Sequence, residues 1–573
     1  MPRCIALYTT RMSAPLFAAA LLALPVQAQE PAAGAYLAAR QASIANNFVA
    51  AAPYTARALA ADPGNGFLQD SALIALIALG DMETAVTLAR QMPGGPDKSQ
   101  IAVLLLVSVA ARNDNYDEIL ALIDAATSRG PLLDGLLRAW AQLGTGEMSL
   151  ALQGFDALVA EPGFAAFGNY HKALALAMAG DFEGADAILS SSANGGARAT
   201  RRGVEARLMV LSQLERNADA LALIAELFGD TPDPGMTALR NRLQAGEALT
   251  FSLVGSARDG LAEVFFTIAG ALNSESPDSY ALAYARLAEY LRPDHADAIL
   301  LGAALLERLG QHDLAAAAFA RVPRDSGALA AAEMGRANAL YRAGRSEDAL
   351  AALQQLAAEI PDQAGIWIAL GDTLRRESQF PEAAAAYDRA IALRGEARPE
   401  DWFVYYARGI AQERAKVWAK AEADFRTALR LNPDQPQVLN YLGYSYVDRY
   451  ENLAEALAMI ESAVRAMPDD GAIIDSLGWA LYRLGRYGEA VVQMERAVER
   501  MPVDSLVNDH LGDVLWAVGR QREAVFQWRR ALAFAPESDA EADRIRRKLE
   551  LGLDAVLADE GAPPLQAAPA NGN

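Results

Sequence analysis

Cysteine is nearly absent from this chain of 573 residues, and its one cysteine, Cys4, lies close to the N-terminus. An apolar run at residues 14–24 is too short for a membrane-spanning helix. It leads to Val26 and Ala28, at the −3 and −1 positions of a signal-peptidase site. We therefore predict that residues 1–28 are a signal peptide and that the protein is exported to the periplasm, in the bacterial cell envelope. Because Cys4 precedes the apolar run instead of following it, no lipid anchor is expected. The mature chain then lacks cysteine, which excludes disulfides, thiolate metal sites and cysteine nucleophiles.

Basic residues are also scarce, since 51 Lys and Arg face 72 Asp and Glu and give a formal net charge of −21. Binding to nucleic acid needs clustered Lys and Arg that displace counterions, so we expect no nucleic-acid partner. The same deficit argues against a polybasic membrane-surface protein. No later apolar run approaches the roughly twenty residues of a membrane-spanning helix, and we expect a soluble mature protein.

The sequence motifs of the common enzyme classes are missing. There is no phosphate-binding loop, no dinucleotide fingerprint, no His-Glu-x-x-His and no Gly-x-Ser-x-Gly. The four histidines, none of them in an i, i+4 pair that could hold a metal, are predicted to be surface or groove residues: His171, His295, His312 and His510. We therefore predict no catalytic residue, no metal and no cofactor.

The chain does contain a sequence repeat. Its marker glycines are separated by 38, 34, 35 and 34 residues, and they are Gly371, Gly409, Gly443, Gly478 and Gly512. Glycine inside a helix costs about 1 kcal/mol relative to alanine, which is tolerated where two helices must approach closely. Each marker is followed by a small alanine and, four residues later, by a large apolar residue, as with Ala383 and Tyr387. We predict that each glycine faces these two residues on the following helix.

This pattern of marker glycine, alanine, large apolar residue, alanine and proline resembles the tetratricopeptide repeat, a 34-residue helix-turn-helix unit. The resemblance implies an all-α fold, a tetratricopeptide α-solenoid in which antiparallel helix pairs stack into a right-handed superhelix. At that period, residues 34–537 hold about fourteen helical pairs. No single pair can bury its apolar face alone, so stacking is obligatory.

The repeat pattern divides the chain into segments. Residues 29–230 are predicted to form a degenerate N-terminal helical array, and residues 277–537 a regular C-terminal array. The phase is lost between them, so residues 231–276 are predicted to be irregular junction helices that separate two binding surfaces. The polar residues 538–559 are predicted to form a capping helix, and the tail at 560–573 to be disordered.

The resemblance also places five positions of each first helix on the concave face, at −6, −3, +1, +4 and +5 from the marker glycine. Aromatic anchors with polar neighbours at these positions suit peptide recognition. Arginines could hold a carboxylate there, since none of the five lysines falls at these positions. The alternative is that some of the rings pack against the next helix as core. The candidate groove residues are Arg375, Arg376, Tyr406, Arg414, Asn440, Tyr444, Asp475, Trp479, Tyr482, Arg483, Asp509, Asp513 and Trp516.

Residues 440–444, 475–483 and 510–516 are also similar to bacterial envelope tetratricopeptide adaptors, which tether a carboxyl-terminal processing protease to its substrates. Such adaptors are commonly lipoproteins, and this sequence lacks the cysteine that a lipid anchor needs. The resemblance implies a non-catalytic periplasmic scaffold that binds protein or peptide partners, including such a protease and its substrates. Two alternatives remain open. One is an assembly subunit of an envelope secretion, pilus or exopolysaccharide-export machine, and the other is an enzyme with an unrecognised site in the N-terminal half.

Overall fold

The computed structural model describes residues 32–92, 99–125, 130–191, 200–229, 233–273 and 277–565, and within these ranges the chain is helical with no strand. The predicted signal peptide, the start of the predicted junction at Thr231 and Pro232, and the tail from residue 566 lie outside the described residues. No helix in the described ranges is long and apolar enough to cross a membrane.

The helices fall into two compact units, Met1–Leu329 and Ala330–Asn573. The helices of the first unit are α1 (Ala32–Ile44), α2 (Phe48–Ala61), α3 (Gly66–Leu79), α4 (Met82–Gln91), α5 (Gln100–Arg112), α6 (Tyr116–Ala125), α7 (Pro131–Gly144), α8 (Met148–Ala160), α9 (Ala165–Met178), α10 (Phe182–Ser190), α11 (Arg201–Gln213), α12 (Asn217–Phe228), α13 (Pro234–Gln244), α14 (Ala257–Leu272), α15 (Asp278–Leu291), α16 (Ala296–Arg308) and α17 (His312–Phe319).

The second unit begins with α18, whose first residue is Leu329. Its helices are α18 (Leu329–Arg342), α19 (Ser346–Glu359), α20 (Ala364–Arg376), α21 (Phe380–Arg394), α22 (Trp402–Arg414), α23 (Trp418–Leu431), α24 (Pro436–Asp448), α25 (Leu453–Ala466), α26 (Gly471–Arg483), α27 (Tyr487–Arg500), α28 (Ser505–Ala517), α29 (Gln521–Ala533), α30 (Asp539–Leu551) and α31 (Leu553–Asp559).

Short turns join these helices into antiparallel pairs, and local chemistry fixes where the helices begin and end. The side chains of Asp81 and Asp181 accept hydrogen bonds from backbone N–H groups in the first turns of α4 and α10. Gly485 and Gly519, at the turns inside the last two pairs, have φ of +75° and +82°, a conformation that glycine adopts without strain. In the described residues, the helices from α1 to α29 give about fourteen pairs, which confirms the predicted all-α fold of antiparallel helix pairs.

The marker glycines of the second unit lie where the sequence predicts them. A Cβ atom added to Gly478 would lie 2.8 Å from Met494 Cγ, and one added to Gly512 would lie 2.4 Å from the Trp528 ring. The same close approach joins Gly371 to Tyr387 and Gly409 to Phe425, at 2.7 Å in each case. The predicted contact between each glycine and the large apolar residue of the next helix is confirmed.

Replacing Gly443 by alanine is therefore expected to destabilise the second unit by about 1–3 kcal/mol, the usual cost of overpacking. The new Cβ would lie 2.7 Å from Ile460 Cγ1 and 3.1 Å from the carbonyl oxygen of Ala456, and the backbone oxygen has little room to move. Gly488→Ala in α27 is the matched control, because nothing lies within 4 Å of its added Cβ. Chemical denaturation of both variants measures the difference. Equal stability of Gly443→Ala and the wild type would contradict the close helix approach.

In the first unit, the segment predicted as a junction is part of the core. Helix α14 packs against α5, α7 and α9, and α15 packs against α3 and α5. Gly260 of α14 lies so close to Trp140 that an added Cβ would be 2.1 Å from the ring. The division between compact units thus lies between Leu329 and Ala330, and not at residues 231–276. The physical reason is that α14 carries buried apolar residues, among them Leu261 and Phe265, which need a surface to cover them.

Candidate peptide-binding surface

The inward surface of the second unit comprises the predicted groove positions on α20, α22, α24, α26 and α28. The structure divides it into two parts. The positions on α26 and α28 are covered by the C-terminal helices of the chain itself, and those on α20, α22 and α24 are more open.

The aromatic side chains of α26 lie in a buried stack. The Trp479 ring lies 4.8 Å from the Tyr482 ring and 4.0 Å from the His510 ring, with interplanar angles of 18° and 11°. Trp479 and Tyr482 are each only 7% exposed. Asp475 accepts a hydrogen bond from His510 Nδ1 at 3.0 Å and is buried as well. For these residues the structure shows the alternative arrangement, in which the rings pack as core.

A buried lysine holds the two aspartates of α28. Lys548 of α30 places its Nζ 2.8 Å from Asp509 Oδ2 and 2.7 Å from Asp513 Oδ1, and its side chain is fully buried. Asp513 Oδ1 also accepts a hydrogen bond from Trp528 Nε1 at 2.9 Å. Asp509 and Asp513 are therefore occupied by the chain itself.

The last described residues complete this cover. Trp516 Nε1 donates to Asp554 Oδ2 of α31 at 2.8 Å, and the chain turns at Gly552, close against the Trp516 ring. Beyond α31, residues 562–565 face Trp479 and Tyr482 across a small cavity of about 140 Å³. The predicted capping segment thus forms two helices, and the chain that follows them continues over the inward surface.

The open part of the inward surface is rich in arginine and tyrosine. Arg376 is exposed and lies over the Tyr341 ring at 5.3 Å. Arg414 is also exposed, with 56% of its side chain accessible. Tyr406 is half-buried and makes an edge-to-face contact with Tyr441, at 6.0 Å between ring centroids.

The remaining inward residues are partly engaged. Arg375 donates to Tyr387 Oη at 3.3 Å, and Arg483 lies 3.5 Å over the Tyr450 ring. Burial, together with Asp475 and Asp448, raises the pKa of Tyr444, so its hydroxyl stays protonated. Among the described residues, Asn440 Oδ1 is a buried polar atom with no hydrogen-bond partner in the protein. Such an atom costs about 1–3 kcal/mol until water or a ligand pairs with it.

The predicted placement of the histidines is wrong for three of the four. His171, His295 and His510 are 0%, 2% and 5% exposed. Their signal in the sequence is weak, because each is a lone histidine whose partner lies 31 to 35 positions away. The partners are, in the same order, Trp140, Glu263 and Asp475. Within the described ranges, no group of three or more His, Cys, Asp or Glu could hold a metal ion.

Comparison with known proteins agrees with the repeat pattern. The family model of the tetratricopeptide repeat matches residues 334–401, 406–471 and 476–540. A TPR repeat-containing protein of Pseudomonas aeruginosa is 32% identical over 156 residues, which are 27% of this chain and 26% of that protein. The cytochrome c-type biogenesis protein CycH of Rhizobium meliloti is 35% identical over 115 residues, 20% of this chain and 29% of that protein. The chain thus matches little more than a quarter of the length of either relative.

Among solved structures, a chain of the APC/C hetero-tetramer Cut9–Hcn1 covers 91% of this chain and 97% of its own, at 14% identity and a TM-score of 0.38.

Proposed function

We propose that this chain, whose residues 334–540 are tetratricopeptide repeats, is a non-catalytic scaffold that binds protein or peptide partners on the open part of its inward surface. The observation that carries the proposal is the difference in solvent exposure between the two parts of this surface. The positions on α26 and α28 are covered by α30 and α31, whereas Arg376 and Arg414 on α20 and α22 stay exposed. Exposed arginines beside half-buried tyrosines are the composition that binding hot spots favour.

The arginines indicate a partner with a carboxylate. In a chain with a net charge of −21, the exposed Arg376 places positive charge on this face beside Arg375 and Arg414, which lie 3.6 and 3.8 Å from Asp372 and Glu413. Guanidinium groups pair well with carboxylates. The tail suggests the conformation of the bound segment. Pro563, Pro564 and Leu565 of this chain already lie beside Trp479 and Tyr482, and proline-rich extended segments bind aromatic surfaces at a low entropic cost. An extended peptide with a terminal or acidic carboxylate is the ligand that fits.

The cellular role that we propose is export to the periplasm and delivery of substrates to a carboxyl-terminal processing protease. The signal-peptidase pattern at Val26 and Ala28 supports the first step, and the likeness of residues 440–516 to envelope adaptors supports the second. The scaffold would act by holding two partners at once, which raises the effective concentration of each for the other.

The double variant Arg376→Gln/Arg414→Gln should lose partner binding by tenfold or more, since a charge-assisted hydrogen bond contributes about 1.5–3 kcal/mol. Both side chains are exposed, so the fold should stay intact. Crosslinked pull-down from periplasmic extract, followed by titration with the captured protein, measures the effect. The matched control is Arg522→Gln/Arg529→Gln, two exposed arginines on α29 with the same change in charge. Equal capture by both double variants and the wild type would contradict the assignment of the binding surface.

A second candidate function is an assembly subunit of an envelope machine. The likeness to a cytochrome c-type biogenesis protein over 115 residues favours it. The same pull-down separates the two. A processing protease and its substrates, lost with Arg376→Gln/Arg414→Gln, support the adaptor. Components of a biogenesis or export machine, captured equally by all variants, support the assembly subunit.

A further inference from the structure

A cavity in the first unit lies between α9, α11, α14 and α16 and has a volume of about 570 Å³. Its walls are mainly apolar, with Phe167 from α9 and Phe266, Gly270 and Ala271 from α14. A volume of this size is typical of sites for small organic molecules. All of its lining residues belong to the first unit, and the proposed scaffold function does not use it.

Charged residues gather at one side of this cavity. The Arg202 guanidinium donates from Nη2 to Glu263 Oε2 at 2.9 Å and from Nη1 to Asp297 Oδ2 at 2.6 Å. Glu263 is buried and also accepts from Tyr170 Oη at 2.7 Å. Arg202 and His295 outweigh burial and hold the pKa of Glu263 well below its ordinary value, so this carboxylate is charged.

The second arginine of the cavity is engaged in the same way. Arg201 donates from Nε to Glu205 Oε1 at 2.9 Å, and from Nη1 and Nη2 to Asp233 at 2.6 and 3.0 Å. All three nitrogens of each guanidinium therefore already donate to carboxylates. An incoming anion would have at most the second N–H groups of Nη1 and Nη2 as donors, and it would lie beside the carboxylates that these arginines already hold.

The carboxylates, by contrast, have oxygen atoms that can still accept hydrogen bonds. Glu205, Glu263 and Asp297 line the cavity, and together with Asp233 beside Arg201 they face two arginines, which gives these six side chains a formal charge of −2. Within the described ranges, Glu205 Oε2 and Asp297 Oδ1 receive no hydrogen bond. Burial and the nearby Asp297 raise the pKa of Glu205, and Arg201 and Arg202 oppose this shift only in part.

We propose that this cavity binds an organic cation, an ammonium group carried on an apolar body. The ammonium donates to Glu205 Oε2 and Asp297 Oδ1, whose side chains are 16% and 36% exposed. The apolar body lies against Phe167 and Phe266, where it loses contact with water.

Three probes of one shape but different charge test the proposal on the full chain: 4-phenylbutylamine, 4-phenylbutanol and 4-phenylbutanoate. Isothermal titration should show saturable one-to-one binding of the amine. The alcohol and the carboxylate should bind at least tenfold more weakly, because neither supplies the positive charge that the cluster lacks. Binding of the carboxylate as tightly as the amine would overturn the proposal, and so would the failure of the amine to bind.

Two variants locate the site. Glu205→Gln should weaken amine binding tenfold or more, whereas Glu183→Gln, an exposed carboxylate on α10, should leave it unchanged. Gly270→Leu should abolish binding by filling the cavity, since nothing lies within 4 Å of its added Cβ and leucine favours the helix. Because Gly270→Leu keeps every charge in place, undiminished amine binding by this folded variant would show that the cation binds elsewhere and would overturn the proposal.

Discussion

Replacing Lys548 by methionine should lower the free energy of unfolding of the second unit by about 3–5 kcal/mol, the usual cost of breaking a buried ion pair from one side. The Lys548 side chain is fully buried, and its Nζ contacts both Asp509 and Asp513. Methionine fills a similar volume, so the loss comes from the aspartates, which keep their charge with only the more distant Arg544, 3.7 Å from Asp513, as a cation. Asp513 is the more costly of the two, because only 1% of its side chain reaches solvent.

Denaturant unfolding, followed by the fluorescence of Trp516 and Trp528 close to this pair, measures the change. Lys420→Met is the control, since Lys420 is exposed and its loss should cost less than about 0.5 kcal/mol. Burial raises the pKa of Asp513, so the variant should regain part of its stability as the pH falls and this carboxyl takes up a proton. A loss below 1 kcal/mol, or one that does not change with pH, would contradict the buried pair.

The position of Lys548 also shows where the sequence stops being informative. It lies in a run of Arg546, Arg547, Lys548 and Glu550, which is typical of a solvated helix face. Nothing in that run marks one cation as buried, because its partners Asp509 and Asp513 lie more than thirty positions earlier. The sequence therefore predicts that the capping segment is helical, but it does not predict that this segment lies over the inward surface.

The repeat itself could be predicted because its signal is local and periodic. A glycine and the residue that it faces are separated by 16 or 17 positions in each repeat, as with Gly512 and Trp528 or Gly443 and Ile460. The position of α14 lacks such a signal, because it depends on residues far apart in the chain. The backbone of Gly260 packs against the ring of Trp140, and these two residues are 120 positions apart and belong to no repeat. The same reason explains the buried histidines, each of which is fixed by a distant partner.

His171 alone should lower the stability of the first unit by roughly 3 kcal/mol as the pH decreases from about 6.5 to 4. Burial lowers the pKa of this histidine to about 4, and the nearby Glu263 opposes the effect only in part. Its Nδ1 accepts a hydrogen bond from Trp140 Nε1 at 3.1 Å, so the neutral ring is the form that the fold requires. An unfolded histidine has a pKa near 6.5. The contribution is thus complete above that value and is lost as the pH falls towards 4, when the unfolded chain binds a proton that the folded chain does not.

His171→Asn tests this assignment, since its amide oxygen can accept from Trp140 but does not titrate. Between about pH 6.5 and 4, this variant should lose roughly 3 kcal/mol less stability than the wild type, whatever its stability at neutral pH. Hydrogen exchange of α7 and α9 reports the first unit separately from the second.

His510 should show the opposite pH dependence in the second unit. Burial alone lowers its pKa, but Asp475 at 3.0 Å outweighs burial and raises it above the ordinary value. Its contribution is therefore complete below about pH 6.5 and is lost as the pH rises through the folded pKa. Opposite pH trends in α9 and α28 are the expected result, and His171→Asn should remove the trend in α9. A pH dependence of α9 that persists in His171→Asn would assign the titration to another group.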